Sequence, residues 1–273
     1  SKTYVSYSVQ NLLEKTDGTH GTYTSANYEN SGSKGTYIIP SGTSLDLSSL
    51  YTTPTSCSAA GNFKGYSTSF DTSAITLSSS EPTVTSGSTY YMWFDRTEYA
   101  LTLNKGTGIA SVSGAGTYNC GKSVSVGATA SDGYGFDSWT VNSGNTPAST
   151  SSASTTVTLS QATTLTATAG DTVKPTSSLT TTSDLKATSQ TATLKCSDNV
   201  GVKEYYWGTN SNGGTYTSTA SDITALTGSS GLTKTVNSAD TYYLFCKDEA
   251  GNVSTSTSKT YVSYSVQNLL EKT

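Results

Sequence analysis

The one histidine among the 273 residues, His20, sits in a Gly-Thr-His-Gly stretch. A serine or cysteine nucleophile relayed through histidine needs that residue placed beside a carboxylate, and zinc sites draw on several His or Cys ligands. A lone His in such a stretch reads as a solvated loop residue. The nineteen acidic residues are scattered singly through turn-like segments, whereas glycoside hydrolysis needs two carboxylates at a controlled separation in a cleft. No glycine-rich phosphate loop lies between a strand and a helix, and the expectation is a protein without catalysis or an organic cofactor. What remains is three groups: Cys57, Cys120, Cys196 and Cys246; a set of aspartates and asparagines late in the chain; and aromatic rings, Trp93, Trp139 and Trp207 with Tyr90 and Tyr91, which could stack on sugars.

The elements that must position these groups are poor in charge and rich in hydroxyls. Ser and Thr number 48 and 52, against 12% charged residues and a net charge of −4. Without a basic surface to displace counterions, a nucleic-acid partner is disfavoured. Leu, Ile, Val and Phe make up only roughly 16% of the chain, yet 19 Tyr, 5 Phe and 3 Trp argue against disorder. Tyrosine must supply much of the buried area. No apolar run is long enough to span a membrane, and Ser1–Val5 lacks the apolar core of a signal peptide.

An exact repeat organises the chain. Residues 1–16 read SKTYVSYSVQNLLEKT and residues 258–273 read the same sixteen letters, a period of 257. A solenoid repeat is far shorter, so each period is expected to hold complete domains, with 258–273 the first strand of the next copy. A fainter duplication lies inside it. Gly35-Thr36-Tyr37 and Phe63-Lys64-Gly65-Tyr66-Ser67 are echoed by Gly116-Thr117-Tyr118 and Phe136-Asp137-Ser138-Trp139-Thr140. Each copy then runs to a closing strand, at Tyr90 and Thr164. Alternation is strict: Tyr99, Leu101 and Leu103 interleave with Ala100, Thr102 and Asn104, the pattern of antiparallel strands with one wet face. Short helical turns are expected at Ser44–Leu50 and Asn11–Lys15, and one of the two alternating sets in Tyr90–Phe94 is expected to face outward or against a neighbouring domain. Trp139 and Trp207 fall on inward positions and read as core.

The segment YALTLNKGTGIASVSGAGTYNCGKSVSVGATASDGYGFDSWTVNSG resembles the divergent internalin B-repeat of bacterial surface proteins, and GNFKGYSTS with TYYMWF is similar to the related Listeria–Bacteroides repeat, with Tyr66 where that family more often has Trp. The resemblance implies small β-grasp-like domains, at 1–97 and 98–169, in extracellular arrays. Residues 170–257 resemble bacterial Ig-like domains through SDNVGVKEYYWG and YYLFCKDEAGNVS, with Cys196, Trp207 and Cys246 on inward strand positions. Leu244, not Tyr, stands two before the second Cys, so the tyrosine corner of antibody domains is absent or displaced to Tyr242. The fold class expected is therefore mostly β: two β-grasp-like domains and an Ig-like sandwich in an elongated arrangement.

The Ig-like resemblance implies a Cys196–Cys246 disulfide. Cys57 and Cys120 have no such template; bonded and unbonded states both fit, and a bond would staple the two small domains together. The same sandwich would bring the loops after the two Cys strands to one end, placing Asp198, Asn199, Asp248, Glu249 and Asn252 near Asp171. Such a set suits calcium, a hard cation with six to eight oxygen ligands, whose role would be to stiffen a domain hinge. The alternative is that these residues satisfy tight turns by bonding their own backbone.

Two functions follow from the resemblances. One is a stalk: three domains of about 30 Å would add roughly 90 Å per period of a surface fibre, with identical repeats as the only necessary partners. The other is that the repeat itself binds host glycan or protein through exposed aromatics, gaining avidity by repetition. Ser254 to Tyr264 alternates without a break, a strand shared between copies, so the upstream end of residues 1–16 is expected to be less ordered than residues 258–264.

Overall fold

The computed structural model describes residues 1–32, 35–46, 62–76, 81–182, 184 and 187–270. The fold is mostly β, with eighteen strands and one helix among the described residues. The chain divides into two compact units: unit 1 is residues 1–130 with 136–169, and unit 2 is residues 170–273 with 131–135.

Unit 1 opens with β1 (Tyr4–Glu14), β2 (Tyr28–Asn30), β3 (Gly35–Pro40), β4 (Asn62–Ser67) and β5 (Ser88–Asp95), all in one sheet. β1 and β5 form its centre and run parallel, with Leu12 opposite Trp93; β3 and β4 flank them antiparallel. Parallel pairs are stable when both faces are covered, and β5 serves two cores. Tyr90, Met92 and Phe94 pack with Tyr7, Val9 and Leu13 on one face, and Trp93 packs with Leu12 and Tyr28 on the other. This corrects the expectation that one set of Tyr90–Phe94 faces outward or a neighbouring domain, since both sets pack against residues of the opening sheet and its own loops. The predicted helical turn at Asn11–Lys15 is also corrected, because Asn11–Glu14 is the end of β1. Leu12 and Leu13 point to opposite faces and each finds a core, which a single helical turn could not offer. Ser44, the expected cap of the other turn, forms an isolated bridge with Thr83, and Leu47 and Leu50 lie outside the described residues.

The rest of unit 1 comprises β6 (Glu98–Lys105), β7 (Ile109–Ser113), β8 (Gly116–Asn119), β9 (Ser123–Ala130), β10 (Tyr134–Ser143), β11 (Ser154–Thr158) and β12 (Thr163–Asp171), with Tyr134 and Gly135 of β10 and Gly170 and Asp171 of β12 belonging to unit 2. They form a sheet of order β10-β12-β6-β8 and a second of order β11-β9-β7. The first repeats the plan of the opening sheet: β3-β1-β5-β4 corresponds to β8-β6-β12-β10, with β6 and β12 parallel as β1 and β5 are. The registers agree as well. Tyr37 faces Tyr7 and Gly35 faces Val9; Tyr118 faces Tyr99 and Gly116 faces Leu101. The Gly-Thr-Tyr echo has a steric counterpart, since in both copies the tyrosine ring folds back over the glycine two residues earlier, where a Cβ would collide with Tyr37 at Gly35 and crowd Tyr118 at Gly116.

Unit 2 contains β13 (Thr176–Thr182), β14 (Gln190–Ser197), β15 (Val202–Gly208), α1 (Ala220–Thr227), β16 (Leu232–Val236), β17 (Thr241–Asp248) and β18 (Thr257–Thr260). Its sheets, β13-β14-β16 and β15-β17-β18, enclose a core of Ala192, Leu194, Tyr205, Leu226, Leu244 and Tyr261, bridged by Cys196 and Cys246. The helix was not anticipated. Eight residues are too few to hold alone, and α1 is anchored by Leu226, which has no exposure.

The duplicated sixteen letters fold in two ways. In the first copy Tyr7, Val9, Leu12 and Leu13 are 4%, 4%, 0% and 3% exposed; their counterparts Tyr264, Val266, Leu269 and Leu270 are 58%, 79%, 86% and 97% exposed. At the start of the segment the order inverts. Ser258–Thr260 belong to β18 while Ser1–Thr3 precede any strand, and Tyr261 is buried where Tyr4 is 60% exposed. The support expected for residues 258–264 therefore ends at Tyr261, the last residue that the core of unit 2 can reach.

Candidate functional site

The aspartate cluster is built by three chain segments of unit 2. Asp171 ends β12, Asp198 follows β14, and Asp248 ends β17. Their carboxylate oxygens lie within 4.8 Å of one another. Asp248 is 1% exposed and accepts from Asn252, at 2.8 Å from its backbone N–H and 2.8 Å from Nδ2. Asp198 Oδ2 accepts from the backbone N–H groups of Val200 at 2.9 Å and Gly201 at 3.0 Å. Asp171 Oδ1 accepts from Val173 N–H at 3.0 Å and from Asn199 Nδ2 at 3.2 Å, and its carbonyl accepts from Asn252 Nδ2 at 3.1 Å. The turn-forming role expected of Asp and Asn is therefore in place. It leaves two atoms over: Asp171 Oδ2 and Asp198 Oδ1 are enclosed and have no hydrogen-bond partner. Glu249, grouped with these residues by sequence, instead pairs with Lys203 at 3.0 Å on the surface.

A second cluster lies in unit 1. His20 Nδ1 is 3.0 Å from Glu14 Oε2 and its Nε2 is 3.1 Å from Asp95 Oδ2, with Lys64 Nζ 3.3 Å from the same Asp95 oxygen. Tyr28 Oη donates to Asp95 Oδ1 at 2.6 Å. His20 is the exposed turn residue that its sequence setting suggests, with 43% of its side chain accessible, and it also bridges two carboxylates of 0% and 1% exposure. Parallel pairing brings the C-terminal ends of β1 and β5 to the same edge, so Glu14 and Asp95, 81 residues apart, become neighbours. Burial pushes the Glu14 carboxyl up, opposed by the N–H of Arg96, and burial with the Asp95 hydrogen bond drives the Tyr28 phenol far above its ordinary range. Arg96, 7% exposed, donates Nε to the Glu14 carbonyl at 2.5 Å and Nη1 to the Cys120 carbonyl at 3.3 Å. Asn119 Nδ2 donates to the Lys15 carbonyl at 3.1 Å. These polar contacts knit the two sheet systems of unit 1. With both acids sealed, the cluster has the character of a structural knot.

Cys196 and Cys246 form a disulfide between the two sheets of unit 2. The ring opposite Cys246 is Tyr205; Trp207 stands opposite Leu244 and stacks on Tyr242 at 5.1 Å, partly exposed. Cys120 is disulfide-bonded and fully buried, and Cys57 lies outside the described residues. Trp93 and Trp139 are 0% and 2% exposed, their indole N–H groups donating to Ser67 Oγ at 2.8 Å and the Ser152 carbonyl at 3.1 Å. Tyr90 is buried, and Tyr91 stacks on Phe70 at 5.6 Å. Neither Trp93 nor Trp139 is free to stack on a sugar. In unit 2, Asp222 accepts from Tyr205 Oη at 2.5 Å and pairs with Lys234 at 3.2 Å, contacts that hold its carboxyl below the usual range. No helix among the described residues is long and apolar enough to cross a membrane.

Residues 99–169 match the family described as divergent InlB B-repeat domain, the segment in which the sequence carries that resemblance. It covers β6 to β12 up to Ala169, the second of the two duplicated sheet systems. No curated protein matches the chain at a significant level.

Proposed function

We propose that the chain is one 257-residue period of a tandem bacterial surface protein followed by the opening strand of the next, and that its work is to span distance outside the cell, without catalysis. The observation that carries this is the contrast within the duplicated letters: Leu12 and Leu13 are 0% and 3% exposed, Leu269 and Leu270 86% and 97%. An apolar strand left bare is costly, and a following copy would supply the sheet that residues 4–14 occupy here. In the same array Tyr261 would stay with unit 2 while Val262 onward enters the next copy, a single strand shared by both. The match at residues 99–169 supports a repeat module. The shared strand order of the two halves of unit 1 supports reading 1–97 and 98–169 as related β-grasp-like domains, and the paired sheets with their Cys196–Cys246 bridge support an Ig-like domain at 170–257. A disulfide fits an oxidising, extracellular setting.

The test is hydrogen exchange on this chain and on a chain of two periods. The amides of residues 262–270 should exchange freely in the first and be protected in the second; equal exchange in both would sink the reading. Small-angle scattering on one to four periods should show the maximum dimension growing in equal steps, and collapse into a globule would count against a spacer. The adhesive alternative draws on Ile38, 74% exposed beside Tyr37, 40% exposed, on β3. Saturable binding of the isolated period on a glycan array would favour it, and silence the stalk.

A further inference from the structure

We propose that Asp171, Asp198 and Asp248 form a calcium site in unit 2. The turns explain part of the chemistry of these residues and leave a definite remainder. Asp171 Oδ1, Asp198 Oδ2 and both oxygens of Asp248 are occupied by N–H donors. Asp171 Oδ2 and Asp198 Oδ1 are enclosed and accept nothing. A buried carboxylate oxygen without a donor forfeits its hydration and gains nothing in return. Here two such atoms belong to a group of three carboxylates whose oxygens lie within 4.8 Å of one another, so like charges repel at short range. The lysines on the flanking strands are engaged elsewhere: Lys203 and Lys247 pair with Glu249 and Glu204 at 3.0 Å each.

One cation accounts for both features, since it would accept the two orphaned lone pairs and turn the mutual repulsion into attraction. The donor set is oxygen alone, with no His or Cys in the group, which selects a hard cation over zinc or copper. Three carboxylates on separate turns, with the amides of Asn199 and Asn252 already committed to holding them, leave room for water in the remaining positions. Calcium tolerates that irregular, expandable coordination better than magnesium, which demands near-octahedral geometry and gives up its water reluctantly. A bound ion would cross-link the first residues of unit 2 to the ends of β14 and β17, tying three distant parts of the chain at one point. The inference is independent of the spacer reading, because a stalk or an adhesive repeat could each carry such a site.

The experiment is calcium titration of the full chain by calorimetry after chelator treatment, with thermal melting in excess calcium, in magnesium and in chelator. One calcium per chain should bind saturably, the melting temperature should rise with calcium, and magnesium should bind at least tenfold more weakly. Asp198→Asn keeps an oxygen acceptor for Val200 and Gly201 while removing one charge. It should weaken calcium binding at least tenfold yet melt no lower than the parent in chelator, because the repulsion is relieved. Asp171→Asn, which likewise preserves the acceptor for Val173, should behave the same way and carries the test if the first variant misfolds. Absence of calcium binding, or binding unchanged in these variants, overturns the site. A lower melting temperature in chelator for both variants, with no calcium response in the parent, would assign the aspartates to turn formation alone.

Discussion

Leu12→Ala and Leu269→Ala alter the same letter of the same sixteen-residue segment, and they should differ by most of the stability of an ordinary core contact. Leu12 has no exposure and packs against Trp93 and Tyr28. Removing its three outer carbons forfeits about 0.8 kcal/mol of transfer free energy each, and the cavity left behind adds to that. The walls cannot close in easily, because Trp93 is pinned to Ser67 at 2.8 Å and Tyr28 to Asp95 at 2.6 Å. We therefore expect a loss of about 3–4 kcal/mol from unit 1, which for a unit of this size lowers its melting temperature by about 7–14 °C. Leu269 is 86% exposed, and its truncation should change stability by less than about 0.5 kcal/mol. Denaturant titration followed through Trp93 fluorescence, with calorimetry on the full chain, reads both. In a two-period chain the second substitution should become as costly as the first. The reasoning fails if Leu269→Ala costs as much as Leu12→Ala in the single chain, or if Leu12→Ala is nearly silent.

Replacing both Cys196 and Cys246 by alanine opens a loop of 50 residues, and unit 2 should lose on the order of 4 kcal/mol by the chain-entropy argument, seen as a lower denaturant midpoint. Gly65 has φ +155° at an irregularity in the β4–β5 register, and a Cβ there would press on the Thr76 carbonyl and Ile75; Gly65→Ala should cost about 1–3 kcal/mol by thermal melting. The folded protein holds a proton on Asp222 less tightly than the unfolded chain does, first through Tyr205 and then through Lys234. Its contribution is thus complete above the unfolded value of 3.8 and is lost as pH falls through the lower folded value. The gap in melting temperature between the parent and Asp222→Asn should narrow on acidification below that point; a gap that widens would contradict the assignment.

Strand character was legible because its signal is local. The alternation of Tyr99, Leu101 and Leu103 needs only neighbours to be read, and the Gly-Thr-Tyr echo predicted a duplicated plan that two of the sheets of unit 1 share. The aspartate turns could be placed because Asp and Asn bond their own backbone within a few residues. The parallel pairing of β1 with β5 left no local trace. As a result the sequence reading missed the second core against Trp93 and the His20 bridge between Glu14 and Asp95, groups brought together only by that pairing. Helix α1 escaped for a similar reason, since its one fully buried anchor, Leu226, gains its value from sheets on both sides of it in the chain.

By itself the sequence determined the period, its internal echo and the strand-forming habit of the opening letters SKTYVSYSVQ, because identity and alternation are properties of letters in order. Whether those letters are a central strand or bare chain was decided only in three dimensions. At residues 4–14 β3 and β5 offer backbone partners and two apolar faces. At residues 262–270 the described structure offers neither. A strand has no hydrogen-bonding partner within itself, so its fate depends on what stands beside it.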